Sequence, residues 1–85
     1  GQAQAAIDKL QQALATARKM PNRQREAKLL QDIGVTYMQV ERYPQALDFY
    51  QQALVIRQQL DDRKAETVIL NGIGVVYFRQ GIYAK

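Results

Sequence analysis

The chain is predicted to be all-α, built of antiparallel helix-turn-helix repeats stacked as an α-solenoid, and three observations carry that reading. First, the 85 residues resemble themselves at an offset of forty: Leu30 answers to Leu70, Ile33 to Ile73, Gly34 to Gly74, Val35 to Val75, Tyr37 to Tyr77 and Tyr43 to Tyr83. The same offset maps Ala46, Asp48, Gln51, Gln52, Ala53 and Leu54 back onto Ala6, Asp8, Gln11, Gln12, Ala13 and Leu14. A fixed period of this size marks supersecondary units that bury their apolar faces only against their neighbours. Second, apolar residues within each half period recur at spacings of three and four, as on one side of a helix. Third, the punctuation repeats: Asn22 and Asp62 stand where helix N-caps belong, and each precedes an acidic first-turn residue, Glu26 or Glu66.

The first helix is expected over 3–20, with Ala6, Leu10, Ala13, Leu14 and Ala17 as its apolar stripe. It should stop at Met20-Pro21, because the residue before a proline is pushed out of the α region. The second helix follows from about Arg23 to Val40 and carries Leu30, Ile33, Gly34 and Tyr37 on one face. A glycine within a helix costs about 0.5–1 kcal/mol relative to alanine, so Gly34 calls for a packing reason. The small residues Ala46 and Ala53 of the next helix supply it, since a Gly-Ala seam lets two antiparallel backbones approach closely. Gly72, off the Leu70-Ile73-Tyr77 face, is expected to tolerate alanine.

Pro44 belongs in the first turn of the third helix, where its missing N–H costs nothing; this helix should run to about Leu60. It shows two overlapping stripes, Ala46-Tyr50-Ala53-Leu54 and Phe49-Ala53-Ile56-Leu60, and an apolar arc that wide touches two partners. The fourth helix, about Arg63 to Gln80, repeats the second, and Gly81 is expected to close it as a left-handed cap. The chain thus divides into the second helix of one repeat (3–20), a complete repeat (23–60), and a first helix with the start of the next second helix (63–85). It reads as an excerpt of a longer array, with self-association through the unfinished repeat ends as a further expectation.

The motif Leu30, Ile33, Gly34, Tyr37, then Tyr43, Ala46, Tyr50 and Ala53, resembles the tetratricopeptide repeat (TPR), whose arrays wind into a superhelix. The period of forty resembles the extended repeats of kinesin light chains and of bacterial scaffold proteins. The resemblance covers essentially the whole chain and implies a protein-binding module. It implies a concave groove lined by the first helices of successive repeats, holding an extended or helical peptide of a partner.

The stripe that should face such a groove lies about 120° round from the Leu30-Ile33-Tyr37 face. It comprises Lys28, Gln31, Val35, Met38 and Arg42, matched on the fourth helix by Val68, Asn71, Val75, Phe78 and, just beyond, Arg79. Exposed apolar and amide side chains in mixture suit peptide capture, while the valines could equally pack between adjacent first helices. Leu70-Asn71 resembles the start of the Leu-Asn-Asn stretch of kinesin-light-chain repeats, where Asn meets the peptide backbone, although Gly72 replaces the second Asn. Gln31, Val35 and Gly72 stand at the places comparable to the Lys and Asn clamp of chaperone-binding members. Recognition of a C-terminal carboxylate is therefore not expected.

Composition excludes much else. The chain has no His, Cys or Ser, so the usual nucleophile-base arrangements and thiolate metal sites are ruled out. Gly72 and Gly74 lie within a helix and lack the Lys-Ser/Thr of a phosphate loop. No enzyme activity, metal or cofactor is expected, and Asp61-Asp62 reads as a helix start. No apolar run approaches the ~18 residues of a membrane span, and a soluble, cytoplasmic protein without a signal peptide is expected. The net charge of +4 comes entirely from residues 1–28, with six basic residues against two acidic; residues 29–85 carry six of each. Arg18, Lys19, Arg23, Arg25 and Lys28 form this patch, which reads first as solvated helix-end surface. Two alternatives to peptide binding follow: a self-assembling structural repeat, and single-stranded RNA binding at the basic turn.

Overall fold

A computed structural model describes residues 1–19 and 22–83, the last two by backbone alone. Four helices follow one another: α1 (Gln2–Lys19), α2 (Arg23–Gln39), α3 (Tyr43–Gln59) and α4 (Arg63–Tyr83). Among the described residues there is no strand. The connections are so short that each helix folds back on the one before, and the main contacts are α1 with α2, α2 with α3 and α3 with α4. α2 also touches α4, whereas among the described residues α1 and α4 do not meet. The result is a slab of 42 × 31 × 14 Å.

Local chemistry sets the helix starts. The Asn22 side chain accepts a hydrogen bond from the Arg25 amide at 3.0 Å, and Asp62 accepts one from the Ala65 amide at 3.2 Å. Each satisfies one of the free amides of a first turn. Pro44 occupies the first turn of α3. The predicted stop of α1 at Met20-Pro21 lies outside the described residues.

The helix ends use left-handed caps, but at other residues than the expected glycine. After α2 the Arg42 amide donates to the Tyr37 carbonyl at 2.9 Å and the Glu41 amide to Met38 at 3.0 Å. After α3 the Asp62 amide donates to Arg57 at 3.0 Å and Asp61 to Gln58 at 3.1 Å. Both are Schellman closures, which place the residue after the cap in the left-handed region. Those residues are Glu41 (φ 63°) and Asp61 (φ 56°), and no glycine has positive φ. Gly81, at the position forty beyond Glu41, lies within α4, so the expected cap there is corrected. The expected turn into a new helix is replaced by continued helix to Tyr83, and Ala84 and Lys85 lie outside the described residues.

The core runs between α2 and α3. Ala27, Leu30, Ile33, Ala46 and Ala53 are fully enclosed, with Tyr43, Tyr50 and Ile56 nearly so. A Cβ built on Gly34 would lie 3.2 Å from Tyr50 Cδ1 and 3.3 Å from the Ala46 carbonyl oxygen. The glycine therefore sits where the neighbouring helix comes closest, as the seam requires. Tyr37 stacks on Phe49 beside it, with ring centroids 5.6 Å apart.

Two expectations about faces are corrected. In α1 the buried side chains are Ile7, Leu14 and Ala17, while Ala6 is exposed and Leu10 and Ala13 are half-buried. Leu14 and Ala17 of the expected stripe are thus buried, Leu10 and Ala13 pack at the margin of the same core, and Ala6 lies outside it, its place taken by Ile7. Gly72 is not on a free face: a Cβ there would lie 3.0 Å from Tyr50 Cζ and 3.2 Å from its Oη. Ile69 and Val76, at helical spacing from Gly72, are fully buried, so α4 docks on α3 by Ile69, Gly72 and Val76. Tyr50 is thus a wedge driven between α2 and α4, closed in by a glycine of each.

Candidate partner-binding groove

The repeat offset places Lys28 opposite Val68 in register, Gln31 opposite Asn71, Val35 opposite Val75 and Met38 opposite Phe78, on two helices that touch each other. On α4 this stripe is open to solvent: Val68, Asn71 and Val75 are exposed and Phe78 is 68% exposed. On α2 it is partly used by the fold. Val35 and Met38 are half-buried against the core cluster, and Gln31 is half-buried too. Equivalent positions therefore differ, with Val35 packing and Val75 exposed. Arg79 is half-buried, whereas Lys28 and Arg42 are exposed.

The flanking cations are positioned by local structure. Arg42 is fixed at its backbone by the closure of α2, and Lys28 lies 3.6 Å from Asp32 one helical turn on. The stripe thus offers apolar surface and two amides between positive ends. Lys28 also lines a concavity, about 340 Å³ in volume, with Asn22, Gln24, Arg25 and Arg57 at the start of α2. A second of about 400 Å³ lies at the α3–α4 turn among Gln58, Asp61, Arg63, Glu66, Thr67 and Leu70. Both are lined mainly by polar side chains, and neither follows the stripe.

Much of the basic patch is paired internally. Glu26 takes Arg23 at 2.9 Å and Arg18 at 3.1 Å, Arg18 also reaches Gln52, and Arg23 donates to Gln59. These bonds tie α1, α2 and α3 together at one end. Arg57, with only 12% of its side chain exposed, lies 3.3 Å from Asp62. Paired cations have less field left for a distant polyanion. Among the described residues no three acidic side chains gather as metal ligands would, and no helix is long and apolar enough to cross a membrane.

Tyr50 has its phenol pushed above the usual 10.0 by burial. Burial disfavours the charged phenolate, so this group serves as a neutral wedge at any ordinary pH. Sequence reasoning missed Gly72 as its second contact. The signal was present, because Ile69, Gly72 and Val76 stand at spacings of three and four, on a face the forty-residue match does not mark.

The sequence profile of the tetratricopeptide repeat matches the chain twice, over residues 1–59 and 24–85. No curated protein and no solved structure matches significantly. With the four stacked helices and the glycine seam in place, the two profile matches together span the whole chain, which belongs to the tetratricopeptide repeat family.

Proposed function

We propose that the chain is a non-catalytic module that holds a peptide segment of a partner protein along the stripe shared by α2 and α4. Tetratricopeptide repeats are generally protein-interaction modules, and one observation carries the finer reading. Phe78, Val75 and Val68 form an exposed apolar row on α4, interleaved with the exposed amide of Asn71. A row of this kind gives side-chain pockets an aromatic anchor and gives the peptide backbone an amide partner. Met38 on α2 adds an adaptable thioether wall. Lys28, Arg42 and Arg79 around it favour a segment with acidic flanks.

Selection of binders from a random peptide library, followed by calorimetry, tests this directly. Phe78→Ala, Asn71→Ala and Met38→Ala should each weaken the selected peptides, with Phe78→Ala costing about tenfold or more, the equivalent of about 1.4 kcal/mol. Val55→Ala, at an exposed position of α3, is the control and should leave affinity unchanged. Peptides that respond to Val55→Ala and ignore the three stripe variants would place binding elsewhere on the slab.

A further inference from the structure

The chain holds one complete example of a helix-on-helix contact and both halves of a second that it does not close on itself. In the complete example α3 lies on α2: Gly34 meets Tyr50 and Ala46, and Leu30 is fully buried. Among the described residues the equivalent face of α4 is largely uncovered, with Leu70 54% exposed, Tyr77 55% exposed, Ile73 half-buried and nothing within 4 Å of a Cβ built on Gly74. The equivalent of α3 also exists. Residues 6–14 of α1 match 46–54 of α3 at six of nine positions, and Ala6, Leu10 and Ala13 stand at the places of Ala46, Tyr50 and Ala53. Ala46, Tyr50 and Ala53 are buried, whereas Ala6 is exposed and Leu10 and Ala13 are half-buried.

We propose that α1 of one molecule docks on the largely uncovered face of α4 of a second copy, in the manner in which α3 docks on α2. The contact continues an interface already built in the chain. It leaves the side chains already buried in place, namely Ile7, Leu14 and Ala17 of α1 and Ile69 and Val76 of α4, and uses Ala6 with the exposed parts of Leu10 and Ala13, which otherwise pack at the core margin. Substituted positions make it weaker than its template. Lys9 replaces Phe49, offering the ring of Tyr77 a cation in place of the aromatic stack seen between Tyr37 and Phe49. Lys19 replaces Gln59, which in the template accepts from Arg23, so a lysine approaches the equivalent Arg63. Because the two surfaces differ, each added copy leaves one of each free, and the assembly grows head to tail.

The test uses the whole chain, Ala6→Arg in the α1 face and Gly74→Arg in the α4 face. Both positions are exposed, so both variants should keep the parent's helical circular dichroism and cooperative melt. In sedimentation or light scattering, the parent's mass should rise above 9.7 kDa with concentration, while each variant alone stays at the monomer mass. An equimolar mixture should then double in mass and stop, since Ala6→Arg keeps an intact α4 face and Gly74→Arg an intact α1 face. A parent that stays monomeric at every concentration, or a mixture that does not associate, overturns the proposal. So does association blocked by Gly74→Arg but not by Ala6→Arg, which would mean a closed dimer of two α4 faces.

Discussion

Two glycines of α4, separated by one residue, should respond to the same substitution with opposite sign. Gly74→Ala adds a methyl group where nothing lies within 4 Å, so it should gain the full helix-propensity difference of about 0.8–1 kcal/mol. Gly72→Ala gains the same, but its methyl would lie 3.0 Å from Tyr50 Cζ and 3.2 Å from Cε1, against about 3.5–4.0 Å for an ordinary carbon contact. The ring has nowhere to go. Tyr50 is 2% exposed and already touches Gly34 of α2 with the Cδ1 and Cε1 atoms. Overpacking of this kind costs about 1–3 kcal/mol, which leaves Gly72→Ala destabilised by about 1 kcal/mol after the propensity gain. For a domain this small each kcal/mol moves the melting point by about 4–8 °C. Thermal melts by circular dichroism should therefore place Gly74→Ala above the parent and Gly72→Ala below it. In a Tyr50→Leu background Gly72→Ala should turn neutral or stabilising, a coupling that a double-mutant cycle measures. Gly72→Ala as stabilising as Gly74→Ala in the parent background would show that Tyr50 is not a wedge between α2 and α4.

That wedge also shows where sequence reading reached and where it stopped. Helix starts were legible because each is set by one local side chain: Asn22 and Asp62 accept first-turn amides, and Pro44 needs no donor. The α2–α3 seam was legible because Gly34 returns as Gly74 at the repeat offset. Gly72 answers instead to Asp32, and its contact Tyr50 answers to Leu10. The pair changes together: the large ring between α3 and α4 faces glycine, while the smaller leucine of α1 stands at the equivalent place with a half-exposed aspartate. A consensus averages such pairs away. The ends of α2 and α3 were read to within a residue, at Val40 and Leu60, but the residues that close them were illegible, since the left-handed positions are held by Glu41 and Asp61 and the glycine in register is helical. Tertiary packing of α3 on α2 and of α4 on α3 fixes where those turns must fall, and it overrides the local preference for glycine. The stripe of Lys28, Gln31, Val35, Met38, Asn71, Val75 and Phe78 was placed by periodicity alone, and periodicity could not distinguish half-buried Val35 from exposed Val75.

The remaining expectations follow from single residues. Glu41→Gly should stabilise the chain by about 0.5–1 kcal/mol in urea unfolding, because a left-handed conformation is costly for a residue with a Cβ; Asp61→Gly should gain less, since Asp tolerates that region better. Loss of an N-cap costs about 0.5–2 kcal/mol, and Asp62→Ala should cost more than Asn22→Ala, because Asp62 also pairs with the largely buried Arg57. The Tyr43 hydroxyl is buried and has no hydrogen-bond partner among the described residues, so Tyr43→Phe should be neutral or stabilising by up to about 1 kcal/mol in the same assay. The last expectation concerns alkaline pH. Burial raises the Tyr50 phenol above 10.0 in the folded chain, so between the unfolded and folded values the native state binds more protons than the unfolded one. Stability from this group is then complete below the unfolded value and falls as pH rises from there through the folded one. Absorbance at the phenolate band should show a component ionising late, together with unfolding, and Tyr50→Phe should remove that late component while shallowing the loss of stability. If the late component persists in Tyr50→Phe, or if Tyr50 ionises without loss of helix, the ring is not enclosed between α2 and α4 in solution.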